Sequence, residues 1–334
     1  MLQPLLVYTL TRKEIIYVKY IQKKGEYAVE KIYDVIVIGG GPAGYTSAIY
    51  TTRAGFDTLV IEKYSAGGQM IQTTQIDNYP GFPEGVDGFE LGAKMQQGAE
   101  RFSAEILQAE VTKVNLQDKI KKITTPNGVL LARSVIIATG AEHRHLGLKN
   151  EEKLIGKGVG YCAACDGMFY RGKTALVIGG GNSAASDALL LSKICKKVIV
   201  VHRRDTLRAE RVYRTPLLKA QNVEFEWNST VCEILSENKV TGVRIRNSVD
   251  GKEKEICTDG VFISIGRTPR TELFRGQLDI DKNGYIIADE TTKTNISGVF
   301  AAGDVRTKPF RQIVTATADG ASASHFAEEY LANI

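Results

Sequence analysis

Long apolar runs are missing from this 334-residue sequence. No stretch approaches the ~20 consecutive apolar residues that a bilayer-crossing helix requires, so a membrane span is excluded. Cysteine is scarce: there are five, an odd number, and only Cys162 and Cys165 are spaced for mutual chemistry. That excludes the dense disulfide framework of a small secreted domain and points to a reducing cytoplasm. The other three, Cys195, Cys232 and Cys257, stand alone in strand-like or helical segments and read as small buried hydrophobes. Histidine is rarer still, at four, scattered over positions 143, 145, 202 and 325. With neither a second C-x-x-C nor an H-x(3–5)-H pair, the four ligands of a structural zinc are not available, and no metal is expected. Long Lys/Arg blocks and basic stripes with interleaved aromatics are also absent, and the net charge of +5 is a mild excess. Nucleic-acid binding is therefore not expected; the surplus suits phosphorylated cofactors and an acidic protein partner.

What is present is the composition of a soluble globular protein, 43% hydrophobic and 24% charged, at a length that favours two domains. Residues 34 to 38, D-V-I-V-I, form a β-branched run that enters the glycine turn G-G-G-P-A-G at 39 to 44. A helical stretch follows, and then T-L-V-I-E closing at Glu62. Strand, turn, helix and strand with an acid at the end is the pattern of a dinucleotide-binding unit. Gly39 allows the tight turn, Gly41 lets the backbone approach a pyrophosphate, Gly44 lets the helix pack on the strand, and Glu62 would accept from a ribose hydroxyl. The helix N-terminus favours the phosphate charge.

The unit recurs at 174 to 201 as T-A-L-V-I, then Gly179, Gly181 and Ala184, a helix through Lys193, and K-V-I-V-V. Glu62 of the first copy falls at the position of His202 in the second, each 23 residues after its first glycine. There H-R-R-D-T-L-R sets His202, Arg203, Arg204 and Arg208 where an acid would meet a bare ribose hydroxyl. An acid would repel a 2′-phosphate, whereas guanidinium groups pair with phosphate in a forked, charge-assisted geometry, so the second site is expected to prefer NADPH. The competing reading is a solvated basic strand end. Between the two turns lies C-A-A-C-D-G at 162 to 167, whose thiols can cycle between dithiol and disulfide. Two nucleotide folds flanking such a pair read as an electron wire, one holding a flavin and the other a nicotinamide.

S-V-I-I-A-T-G-A at 134 to 141 and G-V-F-I-S-I-G-R at 260 to 267 echo each other, each expected as the last strand of its domain after a small β-meander. Y-I-I-A-D-E, G-V-F-A-A-G-D at 298 to 304 and a final helix from about Thr315 are expected to complete the first sheet. The fold class expected is α/β: two Rossmann-like dinucleotide-binding domains, each with a small β-meander, the second inserted into the first. Boundaries follow at 32–144 and 269–334 for the first domain and 145–268 for the second, which carries the cysteine pair. Residues 1–31 contain strand-prone runs without the features of a signal peptide. An extra hairpin, a partner-binding strand and a start-site extension remain open for them.

With both glycine motifs, C-A-A-C-D-G, H-R-R-D-T-L-R and G-V-F-A-A-G-D in this order, residues 32 to 334 closely resemble the bacterial-type low-molecular-weight thioredoxin reductases. The resemblance implies FAD in the first domain, NADPH in the second, thioredoxin as partner and a homodimer. By position, it places Gly39, Gly41, Pro42, Ala43, Gly44, Glu62, Gly68, Gln69, Asn78, Val111, Thr139, Gly140, Asp304, Arg311, Gln312 and Ile313 at FAD. It places Gly179, Gly181, Asn182, Ser183, Ala184, His202, Arg203, Arg204, Arg208 and Gly266 at NADPH. It makes Cys162 the thiol that attacks the partner disulfide and Cys165 the flavin-side thiol. Asp166 is expected to be a proton donor, with a helix N-cap as its structural alternative. Relatives that accept electrons from ferredoxin, act on small-molecule dithiols or serve peroxiredoxin systems share the skeleton. The complete second glycine motif and its arginines argue against them, and a non-catalytic flavin redox sensor is the alternative outside enzymes.

Overall fold

The computed structural model describes residues 20–23, 26–29, 31–73 and 75–334. Strands β1 (Tyr20–Lys23) and β2 (Glu26–Val29) pair as an antiparallel hairpin. The remaining alternatives for the N-terminal segment fall on residues outside those described. β3 (Ile32–Ile38) leads through the first glycine turn into α1 (Pro42–Arg53) and β4 (Thr58–Glu62). There follow α2 (Gly88–Glu100), β5 (Glu105–Gln108), β6 (Lys113–Asn115), β7 (Lys121–Thr125) and β8 (Gly128–Ile137). Then come β9 (Ala141–His143), β10 (Val159–Gly160), the short α3 (Ala163–Asp166), β11 (Thr174–Ile178), α4 (Asn182–Ser192), β12 (Lys197–Val201) and α5 (Arg211–Lys219). The chain continues through β13 (Val223–Glu226), β14 (Ser229–Ser236), β15 (Val240–Asn247), β16 (Glu253–Cys257), β17 (Gly260–Ile263) and β18 (Arg267–Pro269). It ends in β19 (Val299–Ala301) and α6 (Ile313–Ala332).

Two compact units result. The first runs to Ile71 and takes up again through Phe89–Gly140 and Pro269–Ile334; the second comprises Gln72–Gly88 and Ala141–Thr268. In the first, the sheet order is β5-β4-β3-β8-β7-β6, with β19 beside β8. Strands β5, β4, β3, β8 and β19 are parallel, and β8, β7 and β6 form the antiparallel meander. β8 serves both parts. Its exposed N-terminal residues pair with β7, and its buried Val135, Ile136 and Ile137 pair with β3 and β19. The parallel strands are buried on both faces, which is why β3 reads as a continuous apolar run. Ile36 and Ile38 pack with Leu116, Ile137 and Phe274 on one side, and Val35 and Val37 with the α1 and α6 side on the other. Burial of each such side chain is worth about 1.5–3 kcal/mol. Helices α1 and α6 are joined by buried hydroxyls: Ser47 Oγ donates to the Gly320 carbonyl at 3.2 Å and Ser324 Oγ to the Ser47 carbonyl at 3.0 Å. Y-I-I-A-D-E differs from the sequence expectation. Ile286 forms only isolated bridges, to Ile280 and Arg306, while Ile287 is exposed, so the segment joins the core through Ile286 without forming a strand.

The second unit holds a five-stranded parallel sheet, β10-β17-β11-β12-β13, and a separate meander, β14-β15-β16. Val177, Val200 and Phe262 meet Ala163, Ala184 and Leu191 of the helices on one face, while Leu176, Ile199 and Ile263 meet Ile234, Val243 and Ile245 of the meander on the other. All five cysteines fall in this unit. Of the three lone ones, Cys195 is buried, Cys232 is half-buried and Cys257 is exposed. The reading of all three as buried hydrophobes is thus corrected for the last two: Cys257 ends β16, an edge strand of the three-stranded meander. β9 and β18 pair as a two-stranded sheet.

Candidate active site

The two glycine turns are built alike. Gly39 and Gly179 have φ of +109° and +147°, and a Cβ on either would stand 2.4 Å from a carbonyl oxygen, that of Ala138 or of Ser264. Only glycine fits such a position. Each turn ends on an extended N-cap glycine, Gly41 (φ −85°, ψ −173°) before α1 and Gly181 (φ −94°, ψ −173°) before α4. Neither cap makes a side-chain hydrogen bond to its helix, and a Cβ at either glycine would meet nothing within 4 Å. Each helix therefore offers its first N–H groups to an open cradle, which is what a pyrophosphate requires. Pro42 and Ala43 open α1, and Asn182 and Ser183 open α4. Gly44 and Ala184 hold matching places one turn in.

At the strand ends the copies part. Glu62 Oε2 accepts from the Gly40 N–H at 2.6 Å and Oε1 from the Tyr64 N–H at 3.0 Å, so its carboxylate is fixed beside the turn. His202 in the second copy is buried, and its ring lies so close over Gly180 that a Cβ there would meet Cε1 at 2.2 Å. Burial first, then Arg208, holds its pKa below the ordinary imidazole value. Its buried Nε2 has no hydrogen-bond partner among the described residues, an orphan that a ligand could satisfy. Arg203, Arg204 and Arg208 are exposed around it. The loop carrying them is pinned to the turn. Arg208 N–H donates to the Gly180 carbonyl at 2.7 Å, and Asn182 and Glu210 exchange bonds of 2.9 and 2.8 Å.

The remaining residues expected at FAD lie in the first unit except Asn78, which falls in the second and donates to the Ala164 carbonyl at 3.3 Å. Gly68 opens a 3-10 turn with Gln69, 3.4 Å from Gly41 Cα when given a Cβ. Val111 sits at the edge of the core, and Thr139 Oγ1 donates to the Arg270 carbonyl at 2.8 Å. Gly140 follows β8, as Gly266 follows β17. Asp304 lies in the turn Gly303–Val305. Arg311 donates to the Arg306 carbonyl at 3.1 Å and lies 4.0 Å over the Tyr285 ring. Gln312 caps α6 in a reciprocal box with Thr315, and Ile313 is the first helical residue.

Sequence reasoning missed what braces this last group. Asp319 of α6, almost fully buried, accepts from the Gly303 N–H, Arg306 Nε and Lys308 Nζ, each at 2.8 Å, and from Arg306 Nη2 at 2.8 Å. The cations hold its carboxyl below the usual range despite burial. The network ties the Asp304 turn to α6. Its only trace in the sequence is the run of charges at 306, 308 and 319 among small residues.

In the second unit Cys162 and Cys165 form a disulfide, with Cα atoms 5.3 Å apart. Cys162 is the N-cap of α3, whose Cys165 and Asp166 N–H groups both return to the Cys162 carbonyl. Both sulfurs' residues are partly buried. Asp166 stands at the N-cap of the 3-10 turn Gly167–Tyr170 but makes no side-chain cap bond, so the purely capping role is not realised. Burial pushes its carboxyl up to about 6. Its proton is therefore held more tightly than on an ordinary aspartate, at the position that directly follows Cys165 in the chain.

A family model described as pyridine nucleotide-disulphide oxidoreductase matches residues 33–320. The chain is 48% identical over 303 residues to a thioredoxin reductase of Listeria monocytogenes, covering 90% of this chain and 95% of the relative. It is 45% identical to that of Bacillus subtilis, covering 90% and 96%. Among solved structures, a thioredoxin reductase of Streptococcus pyogenes superposes with a TM-score of 0.85 at 41% identity, covering 91% of this chain and 99% of that one.

Proposed function

The chain belongs to the pyridine nucleotide-disulphide oxidoreductase family, among its thioredoxin reductases, and from that premise we propose that it passes electrons from NADPH through FAD to the disulfide of thioredoxin. The observation that carries this reading is the Cys162–Cys165 disulfide, set in the same unit as the second glycine turn and its arginines. In this reading Gly39, Gly41, Glu62 and the Asp304 to Ile313 group hold FAD, and Gly179, Gly181, His202, Arg203, Arg204 and Arg208 hold NADPH. The open cradles at Gly41 and Gly181 and the orphaned His202 Nε2 fit those groups. When bound, the flavin supplies two-electron transfer between nicotinamide and disulfide.

The chain's own residues do the rest. Cys162, once reduced, attacks the partner disulfide as a thiolate and forms a mixed disulfide; Cys165 then attacks Cys162, releases the partner as dithiol and restores the intramolecular bond. Asp166, held up to about 6, supplies the proton that a leaving thiolate needs and recovers it afterwards. We place the protein in a reducing cytoplasm as a homodimer, for which exposed Tyr50, Phe89, Phe102 and Val314 offer apolar contact area. Among the described residues no helix is long and apolar enough to cross a membrane. The test is NADPH oxidation by the purified flavoprotein with and without oxidised bacterial thioredoxin. Thioredoxin-dependent oxidation is expected; oxidation of NADPH indifferent to thioredoxin, or none, would overturn the reading.

A further inference from the structure

Trp227 is the chain's single tryptophan and belongs to none of the motifs above. It follows the last residue of β13 and packs, half-buried, with Phe225 against the cluster that also holds Leu207 and Ala209 of the arginine loop. The Phe225 and Trp227 rings lie parallel, with 4.7 Å between centroids and 1° between planes. The Trp227 ring also crosses that of His202 at 75° with centroids 6.4 Å apart, the edge-to-face geometry that aromatic rings prefer. Its backbone is tied to the same place. His202 N–H donates to the Glu226 carbonyl at 3.0 Å, Ser229 N–H to the His202 carbonyl at 3.0 Å and Asn228 N–H to the Arg204 carbonyl at 3.1 Å. Ser229 Oγ donates to the Trp227 carbonyl at 2.8 Å and Ser248 Oγ to the Asn228 carbonyl at 2.9 Å. Asn228 turns the chain at φ +50°, a left-handed conformation for which asparagine is enriched.

The fixed turn has a consequence for the second nucleotide site. Nothing among the described residues bonds His202 Nε2, so packing sets the tilt of the ring. Gly180 supplies one wall, where only a residue without a Cβ leaves room for the imidazole. Trp227, held by Phe225, supplies another. Two residues on, Arg204 has its main chain held by Asn228 while its side chain is exposed. A guanidinium carried on a fixed main chain loses less freedom on pairing with a phosphate than one on a loose loop, and the saving appears as affinity.

We propose that Trp227 is a positioning residue for recognition of the nucleotide's 2′-phosphate: it sets the His202 ring and, through the turn it opens, the main chain at Arg204. The proposal deepens the reading of the second unit as the NADPH site and rests on it. It is tested by calorimetric titration of the flavin-loaded enzyme with 2′,5′-ADP, the phosphorylated half of NADPH, and by steady-state kinetics with NADPH and NADH. Trp227→Leu, which keeps apolar bulk and removes the ring, is expected to weaken 2′,5′-ADP binding about tenfold, the upper end for loss of one aromatic pair. KM for NADPH should rise in step with kcat unchanged, and kcat/KM for NADH should stay within about twofold of wild type. Trp227→Phe, which restores a ring, should return the affinity to within about threefold of wild type. A Leu variant that binds 2′,5′-ADP like wild type would overturn the proposal. So would equal losses for NADPH and NADH, which mean general packing, or a Phe variant no better than Leu, which means that the ring is not what matters. With no other tryptophan in the chain, wild-type fluorescence is a second measure: saturating 2′,5′-ADP should change the Trp227 emission, and unchanged emission would overturn the proposal whether or not the Leu variant folds. A wild-type enzyme that binds no 2′,5′-ADP would remove the NADPH reading itself, and the proposal with it.

Discussion

The first and second glycine turns share a backbone and differ at one strand end. N-caps with ψ of −173° in both, and first glycines seated against carbonyl oxygens at 2.4 Å in both, amount to one cradle built twice. Yet Glu62 is held by two backbone N–H groups beside the first turn, while His202 covers the second with its Nε2 unsatisfied and three arginines around it. In the proposed reading the cradle would recognise what all dinucleotides share, and the residues 23 positions on would decide which one fits. On that reading a duplicated fold acquires a donor site and a relay site through changes confined to a few side chains.

The largest effect should come from what the second unit has and the first lacks. Cys162→Ser and Cys165→Ser should each lower thioredoxin-dependent turnover by at least ~10³-fold, because each half of the exchange needs its own thiolate. They should differ in kind. Cys165→Ser should trap thioredoxin as a mixed disulfide through Cys162, and the opposite pattern on non-reducing gels would reverse the assignment.

Asp166→Asn comes next, with a loss in kcat of roughly 10²-fold, the lower range for a general acid. The same change should stabilise the protein above neutral pH. Burial raises the folded carboxyl to about 6 from 3.8, so its contribution to stability is fully present below the unfolded value and is lost as pH rises through about 6. Removing the ionisation should recover up to about 3 kcal/mol at pH 8. A thermal unfolding series from pH 5 to 8 checks this: the gap between variant and wild type should widen with pH.

Alanine at the paired glycines gives a smaller, separable effect. Gly39→Ala and Gly179→Ala each force a Cβ against a carbonyl at positive φ, a strain of roughly 1 to 3 kcal/mol, or ten- to a hundredfold in affinity. The first should reduce bound FAD and leave the nicotinamide KM of the remaining flavoprotein unchanged, and the second should do the reverse. Loss of flavin in both would show that the turns are not independent. The smallest effect is expected from deleting residues 1–31, because β3 begins at Ile32 and every residue with an assigned role lies beyond it. Flavin content and turnover should match the full chain.

How far the sequence foretold this structure depended on how local each signal was. The turns, strands and helices around Gly39 and Gly179 were legible because the requirement is local: a glycine at positive φ, a β-branched strand before it and a helix after it. Helix α6 was located to within two residues for the same reason. Y-I-I-A-D-E misled because Ile286 alone makes single bridges to two different neighbours, which no periodicity reveals. Cys257 misled because edge exposure depends on which strand lacks a neighbour. The Asp319 network was invisible because its partners, Lys308, Arg306 and Gly303, lie 11, 13 and 16 residues away, outside any local motif. A buried carboxylate carries no motif of its own; only the folded neighbourhood shows what it is for.

The central claim is that the residues replacing Glu62 in the second turn choose its nucleotide, and the direct measurement is kcat/KM for NADPH and NADH in wild type and in Arg203→Ala/Arg204→Ala. Charge-assisted hydrogen bonds are each worth about 1.5 to 3 kcal/mol, so losing two should cost roughly 10² to 10⁴ in kcat/KM for NADPH and leave NADH nearly untouched. Wild-type indifference to the phosphate, or equal losses for the two cofactors in the variant, would contradict the account.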